Sequence, residues 1–269
     1  MIRDITVGQY YAANSFIHDL DPRFKIVVSF LYMISLFFIK NFLGFGVVLV
    51  FMTTTIFISK IPLKYFLKGL KPIMMIIIFA FIINVFFTNG EKILFSYKFI
   101  TIYKNGLYRA FFMAVRLIFL ISGTSLLTLT TSPIKLTDGI ERLLDPLKVV
   151  GVPAHELAMM MTISLRFIPT LLNETDKIMK AQKSRGADFE SGNIFNRAKS
   201  LIPLLVPLFI SAFKRADELA MAMEARGYRG GENRTRMKVL NYSKKDVIAS
   251  IFVGVYFISL IITNQGIYG

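Results

Sequence analysis

Long apolar stretches, separated by short polar ones, dominate the chain and predict membrane-spanning helices. A bilayer core needs about 20 apolar residues per helix. The stretches that approach this length are 24–39, 42–59, 73–87, 107–129 and 247–263. Lys40 and Asn41 separate the first two, and Pro62 ends the second because proline cannot continue the helix that precedes it. The pattern predicts about five spans, four of them within a membrane domain of residues 1–130 and one within residues 247–269.

The distribution of lysine and arginine predicts the orientation. Residues 60–71 hold four lysines and no acid, and residues 130–246 hold 19 Lys and Arg. Basic connections face the cytoplasm, so with five spans the N-terminus is expected inside and the C-terminus outside. The connection 88–106 is then outside, where alternating apolar positions between two Asn-Gly pairs predict a short hairpin or interfacial flap.

Helical periodicity continues between the fourth and fifth apolar stretches, in residues 131–246, which we expect to form a cytoplasmic domain. It predicts three helices, at about 134–150, 154–185 and 194–226. Each of the two longer helices has an apolar first half that is too short to cross a membrane and a polar second half. The expected fold is an all-α integral membrane protein, with about five transmembrane helices and three cytoplasm-facing helices.

The two longer helices match one another at an offset of 41 residues and end in the same pair of residues. Arg185 and Gly186 align with Arg226 and Gly227. One interpretation is that glycine stops each helix and the cation complements the helix dipole. Another is that each arginine protrudes and enters an acidic groove on a partner, since its planar fork pairs bidentately with carboxylates. The two interpretations are compatible.

Composition narrows the classes of function. The chain is 54% hydrophobic with a formal net charge of +15. Nucleic acid is a poor candidate partner, because the apolar stretches need lipid around them. Cysteine is absent, and the two histidines, His18 and His155, are far apart, so we expect no metal site and no cofactor. No Gly-x-x-x-x-Gly-Lys-Ser/Thr phosphate loop and no catalytic pairing occur, so we expect a non-enzyme whose energy comes from a partner.

Methionines in the second of these helices allow two interpretations. Met159, Met160 and Met161 follow one another, and such residues most often fill a core. Methionine surfaces also re-pack against dissimilar partners, so these side chains can equally belong to an adaptable interface. Arg166 follows in the same apolar stretch and can extend to lipid headgroups, whereas Arg116, inside the fourth span, is expected to pair within the bundle.

Five motifs in this order resemble a known family over essentially the whole chain. They are Thr131-Ser132-Pro133, Leu144-Asp145-Pro146-Leu147, Arg166-Phe167-Ile168-Pro169, the segment from Ala181 to Asp188 around Ser184-Arg185-Gly186, and the segment from Met223 to Tyr228 around Ala225-Arg226-Gly227. The chain is similar to the transmembrane (T) component of energy-coupling factor transporters, the cobalt-transport permease family. Ser184 departs from the more common alanine, and a small residue still suits that position.

The resemblance implies a non-catalytic subunit in a prokaryotic cell membrane. It would link two cytosolic ATPases of the ABC class to one or more membrane substrate-binding (S) components that import a vitamin or a metal ion. Each Arg-Gly motif, with its preceding Ser184 or Ala225, would dock on one ATPase. The interface with the S component is assigned to Met159, Met160, Met161, Arg166, Pro169, Pro203 and Pro207.

Two other classes remain as alternatives. A permease of an ordinary ABC importer forms the substrate path itself, and it would show one coupling helix per chain rather than two similar ones. A membrane-bound enzyme would use the basic region to hold phosphorylated or lipid substrates. That enzyme would need clustered His, Asp or Glu near the membrane interface, and the sequence shows no such cluster.

Overall fold

The computed structural model describes residues 10–90, 93–97, 100–189, 193, 195, 199–230 and 240–265. The chain divides into two compact units. One, called here the membrane unit, contains Gln9–Ile140 and Leu240–Gly269. The other, called the paired-helix unit, contains Glu141–Val239.

Helices make up most of both units. In chain order they are α1 (Pro22–Phe38), α2 (Phe42–Ser59), α3 (Leu63–Leu70), α4 (Met74–Phe87), α5 (Lys104–Thr130), α6 (Pro133–Leu144), α7 (Ala154–Ser184), α8 (Ile202–Ala225) and α9 (Lys244–Gln265). Short 3₁₀ turns, Lys71–Ile73 and Asp145–Val150, follow α3 and α6. The predicted all-α class is confirmed.

Four of the described helical stretches are long and apolar enough to cross a membrane, by length and composition. They are Phe42–Ser59, Leu63–Phe87, Lys104–Thr130 and Lys244–Asn264. The first predicted span is also a helix, α1, but it has only 17 residues. At 1.5 Å per residue α1 is about 25 Å long, at the lower limit for a crossing.

Polar contacts bring three helix ends together at one end of the membrane unit. The ammonium group of Lys25, near the start of α1, donates to the carbonyl of Thr130, the last residue of α5, at 3.2 Å. The backbone N–H of Asp21, which caps α1, donates to the Asp246 carboxylate in the first turn of α9 at 2.8 Å. The starts of α1 and α9 therefore lie beside the end of α5.

The opposite ends of the same helices are also joined. The side-chain amide of Asn264 donates to the carbonyl of Phe38 at 2.7 Å, and that of Asn41 donates to the carbonyl of Thr263 at 2.9 Å. Hence α1 and α9 run parallel to one another, and α5 runs against them. First and last spans that run parallel are what an odd number of crossings requires.

The core of the membrane unit is formed mainly by the first two helices and the last. Its buried members are Tyr32, Leu36, Ile39, Phe45, Val48, Met52, Tyr256 and Leu260. The hydroxyl of Tyr32 donates to the carbonyl of Phe119 in α5 at 3.1 Å, so this tyrosine is both packed and hydrogen-bonded. The ring of Tyr32 lies against Gly123, where a Cβ atom would come within 2.4 Å of it.

The connection between α4 and α5 contains an antiparallel hairpin of β1 (Ile93–Tyr97) and β2 (Ile100–Tyr103). The predicted hairpin is confirmed. Asn105 and Gly106, expected to lie in a turn, belong instead to the first turn of α5. Gly106 is buried there, and a Cβ atom on it would lie 3.1 Å from the carbonyl oxygen of Thr88, so the end of α4 and the start of α5 pack closely.

Candidate functional site

The paired-helix unit contains both Arg-Gly motifs. The predicted helix at about 134–150 is divided between α6 and the 3₁₀ turn Asp145–Val150. Helix α7 agrees with the predicted 154–185, and it continues through Pro169. Of the helix predicted at about 194–226, α8 covers Ile202–Ala225. Before it, residues 195, 199 and 200 are also helical and residue 201 is in a turn, while residues 194 and 196–198 lie outside the described part of the chain.

Helix α7 ends in a Schellman motif. Gly186 has a positive φ of 88°, a conformation that glycine adopts without a steric penalty. Its backbone N–H donates to the carbonyl of Lys183 at 3.0 Å, and the N–H of Ala187 donates to the carbonyl of Gln182 at 3.0 Å. These bonds satisfy carbonyls that the helix end leaves without partners. Arg185 is consequently the last residue before the chain turns away.

Helix α8 ends in the same way. Gly227 has a φ of 73°, its N–H donates to the carbonyl of Glu224 at 2.8 Å, and the N–H of Tyr228 donates to the carbonyl of Met223 at 3.0 Å. A Cβ atom at either glycine would meet nothing within 4 Å, so φ rather than space requires glycine there. The helix-stopping interpretation of both motifs is therefore correct.

Both arginines are exposed. In the described part of the chain, neither Arg185 nor Arg226 donates a side-chain hydrogen bond or pairs with a carboxylate. The hydroxyl of Ser184 donates to the carbonyl of Lys180 within its own helix at 3.0 Å, so it stays satisfied beside the arginine. The geometry leaves both guanidinium groups available to a partner, and docking itself stays a prediction.

The two helices cross in an antiparallel arrangement. Near the middle of α7, the Glu174 carboxylate accepts hydrogen bonds from the hydroxyl of Ser211 at 2.9 Å and from the guanidinium of Arg215 at 2.6 Å. Further along α7, the side chain of Gln182 donates to the carbonyl of Pro203 at 3.4 Å. Later residues of α7 thus meet earlier residues of α8.

This contact corrects one expectation about Glu174. Glu174 stands three residues before Lys177, a spacing that favours an ion pair along α7, whereas its bonds reach across to α8. The hydrogen bonds from Ser211 and Arg215 lower the pKa of Glu174 below its ordinary value of 4.5. The carboxylate is therefore ionised at neutral pH. The offset of 41 residues, applied to Glu174, gives Arg215 and was the signal that could have found this pair.

Glu174 and Arg215 occupy equivalent positions in the two matched helices. Antiparallel helices that meet at equivalent residues are related by an approximate two-fold axis through the contact. Arg185 follows Glu174 by 11 residues, and Arg226 follows Arg215 by the same 11. At 1.5 Å per residue, each arginine lies about 16 Å along its helix from the crossing, and the two lie in opposite directions.

The residues assigned to an S-component interface lie on α7 and in the first half of α8. Met160, Arg166, Pro169, Pro203 and Pro207 are exposed, while Met159 and Met161 are half-buried. None of the three methionines is buried in a core. The first half of α8 also exposes apolar side chains, including Val206, Phe209 and Ile210. The first half of α8 thus leaves an apolar surface uncovered. Pro203 in it lies beside Gln182, 21 residues along α7 from Met161, so the structure does not bring the assigned methionines and the α8 prolines together.

The chain is similar to known proteins over nearly all of its length. Residues 13–237 match the family model CbiQ, described as a cobalt transport protein. The chain is 60% identical over 252 residues to the energy-coupling factor transporter transmembrane protein EcfT of Clostridium kluyveri, with 93% of each chain covered. It is 57% identical over 263 residues to the protein of that name from Thermosediminibacter oceani, covering 98% of this chain and 99% of the other. For the Bacillus subtilis protein the identity is 48% over 255 residues, covering 94% and 96%.

Proposed function

Because the chain belongs to the CbiQ family of cobalt transport proteins, with the energy-coupling factor transmembrane proteins among its relatives, we propose that it couples two cytosolic ATPases to a membrane substrate-binding S component. Membership of this family itself shows that the chain is a transmembrane component of a transporter. The ATPase pair, the S component and the import of a vitamin or a metal ion are the proposal.

The matched ends of α7 and α8 carry this proposal. Two exposed arginines, held by the same backbone motif and pointing away from one crossing, suit two similar partners. ATPases of the ABC class work as pairs, and an acidic groove on each would receive one arginine. Arginine suits this role because it stays charged in a desolvated interface and forms two parallel bonds with a carboxylate.

The crossing supports a mechanism of coupling. When the ATPase pair closes on ATP, the two docked ends are drawn to a new separation. Helices α7 and α8 then change their angle about Glu174 and Arg215, and the apolar surface exposed by the first half of α8 moves with them. An S component packed on that surface would be reoriented in the membrane. The substrate would be determined by the S component.

The orientation in the membrane belongs to the same proposal. The starts of α1 and α9 and the end of α5 lie at one end of the membrane unit. The basic stretch 60–71 lies at the same end, because Ile61 and Phe66 pack against Leu129, and the basic stretch 130–246 starts there. Basic connections favour the cytoplasm. We place this end inside, with the N-terminus cytoplasmic and the C-terminus extracellular.

Co-purification with candidate ATPases tests the proposal. The full chain is compared with the double variant Arg185→Glu and Arg226→Glu, which is expected to lose the complex. Reversing one member of a desolvated charge pair typically costs about 2–5 kcal/mol, so each single change should weaken assembly. Lys180→Glu with Lys214→Glu reverses two exposed charges on the same helices and serves as the control. If the arginine double variant retains the ATPases as well as the control does, docking through these arginines is wrong.

A further inference from the structure

Helix α3 carries a row of lysines that the coupling function does not use. Lys64, Lys68 and Lys71 lie within an arc of about 60° around the helix axis, since successive residues are about 100° apart. Lys60, which caps the end of α2 with a left-handed backbone conformation, stands four residues before Lys64. All four side chains are exposed.

The opposite side of α3 packs on the protein. Phe66 is buried in a cluster with Ile61 and Leu129. One turn later, a Cβ atom on Gly69 would lie 3.1 Å from the hydroxyl of Ser125 in α5. Because Phe66 and Gly69 lie opposite the lysines on the helical wheel, these contacts fix the direction in which the lysine row points, away from the bundle.

The position along the chain places α3 at the boundary between water and hydrocarbon. After Lys71, no charged residue occurs until Glu91, and α4 fills most of this interval. Leu63 and Leu67 are each 65% exposed, and they alternate with the lysines along α3. The ring of Tyr65 packs against that of Tyr11, tilted by 51° with 4.9 Å between ring centroids, and tyrosine is enriched at membrane interfaces. Because α3 is the first part of the helical stretch Leu63–Phe87, its lysines lie at one end of a span, at the level of the headgroups.

The lysine row also has unbalanced charge. No acidic residue occurs from Lys60 to Gly90, and among the described residues no carboxylate pairs with these four lysines. Elsewhere in the membrane unit a surface lysine is neutralised, since Lys245 pairs with Asp19 at 2.7 Å. The four lysines of the α3 row therefore form a patch of positive charge beside the exposed Leu63 and Leu67 side chains.

We propose that this surface, Lys60, Lys64, Lys68 and Lys71 with Leu63 and Leu67, binds the headgroups of anionic phospholipids. The ammonium groups pair with lipid phosphates while the exposed leucines contact the lipid beside them. A lipid is favoured over an acidic protein because the lysines alternate with uncovered apolar side chains and stop where the charge-free part of the stretch Leu63–Phe87 begins. The surface is independent of the arginine docking ends.

A single introduced tryptophan tests this proposal, because the chain has none of its own. Leu67→Trp is placed in the full chain, which is reconstituted in bilayers of phosphatidylcholine mixed with phosphatidylglycerol. Brominated acyl chains are carried by one lipid or by the other, and the quenching of the introduced indole reports which lipid is in contact. We expect a preference for phosphatidylglycerol of roughly fivefold for each lysine engaged, weakening as salt is raised.

Matched variants show whether the lysine row is responsible. Changing the four lysines of the row to Gln should remove the preference, and changing them to Arg should keep it. The control changes to Gln four lysines of the paired-helix unit: Lys177, Lys180, Lys199 and Lys214. It should leave the preference intact.

A second tryptophan position tests whether the lipid preference is confined to the lysine row. Ile82→Trp, made in a chain that keeps Leu67, lies on an exposed position of α4 beyond the lysines and should show no preference for either lipid. Equal quenching by both lipids in the Leu67→Trp protein, or the same preference in the Ile82→Trp protein, overturns the proposal.

Discussion

Glu174 of α7 and Arg215 of α8 stand at equivalent positions of two matched helices and form an ion pair of 2.6 Å where those helices cross. Their side chains are about one-quarter and two-fifths exposed, so the pair is open to water. An exposed pair adds little to stability. The pair matters for the geometry of the unit, because Arg185 and Arg226 each lie 11 residues beyond it along their helices.

Reversing the charge of Glu174 should change the geometry of the crossing. The chain lacks cysteine, so Ser184→Cys with Ala225→Cys introduces two spin labels beside the arginines. We expect Glu174→Arg to broaden or shift the label distance, because it places two cations together. Adding Arg215→Glu should restore the distance. Asp217→Arg, an equal charge reversal at an exposed position of α8, is the control. An unchanged label distance in Glu174→Arg would show that the Glu174–Arg215 pair does not set the geometry of the crossing.

Gly227 should tolerate asparagine better than alanine. At a φ of 73° alanine is strained by about 1–2 kcal/mol, whereas asparagine visits this conformation more readily. Gly227→Ala should loosen the end of α8, raise amide hydrogen exchange at Gly227 and Tyr228, and weaken ATPase binding. Gly227→Asn should lie closer to wild type in both measurements. Equal effects of the two variants would mean that φ does not control the motif.

Asp246 should matter more to stability than its neighbour in space, Asp19. The buried Asp246 carboxylate accepts hydrogen bonds from the backbone N–H groups of Asp21 and Ser243, at 2.8 and 2.7 Å. Asp246→Ala leaves these donors without a partner, and we expect a loss of about 2–4 kcal/mol in the free energy of unfolding. Asp19→Ala removes only an exposed ion pair and should cost below about 1 kcal/mol. Thermal unfolding in detergent distinguishes them, and equal losses would contradict the prediction.

Two glycines in spans give a test of core packing. A Cβ atom at Gly123 would lie 2.4 Å from the ring of Tyr32, which is buried and hydrogen-bonded and so has little room to move. Gly123→Ala should destabilise the membrane unit by about 1–3 kcal/mol. Gly254→Ala adds a methyl group where no atom lies within 4 Å, and it should be neutral or stabilise by about 0.5–1 kcal/mol. The same unfolding measurement compares the two variants. A Gly123→Ala protein as stable as wild type would show that the Tyr32 ring can move aside.

His18 should make the membrane unit sensitive to mild acid. Burial and the nearby Lys25 and Lys135 lower the pKa of His18 below 6.5, although its bond to the Tyr11 carbonyl acts in the opposite direction. Because the folded pKa is below the unfolded value, the stabilisation is complete above about pH 6.5 and decreases as pH falls below it. His18→Gln should flatten the change in unfolding temperature in this window. A parallel decrease in wild type and variant would exclude His18 as the cause.

The apolar pattern predicted the spans well where polar residues end them. Helix α2 has the predicted bounds, because Asn41 caps it and Pro62 prevents its continuation. The start of α5 was predicted three residues late, since Lys104, Asn105 and Gly106 are polar or lack a side chain. They become helical because Gly106 packs against the end of α4. Tertiary contact, which a local pattern does not contain, decides such residues.

The Arg-Gly ends of α7 and α8 were predictable and the crossing was not. Glycine after arginine at the end of a long periodic stretch is a local signal, and both motifs have the expected conformation. Which residue of α7 meets which residue of α8 depends on the direction and angle of packing. For Glu174, helical spacing favoured Lys177, and only the antiparallel arrangement brings Arg215 to it.

The bond between Asp21 and Asp246 joins residues 225 positions apart in the chain. During synthesis the first span is made and inserted long before α9 leaves the ribosome. Until then the N–H of Asp21 lacks its acceptor, and Tyr32 and Leu36 lack the Tyr256 and Leu260 side chains that complete their cluster. The membrane unit is therefore closed by its last helix, and chains that stop before residue 246 should be recognised as unfinished by membrane proteases.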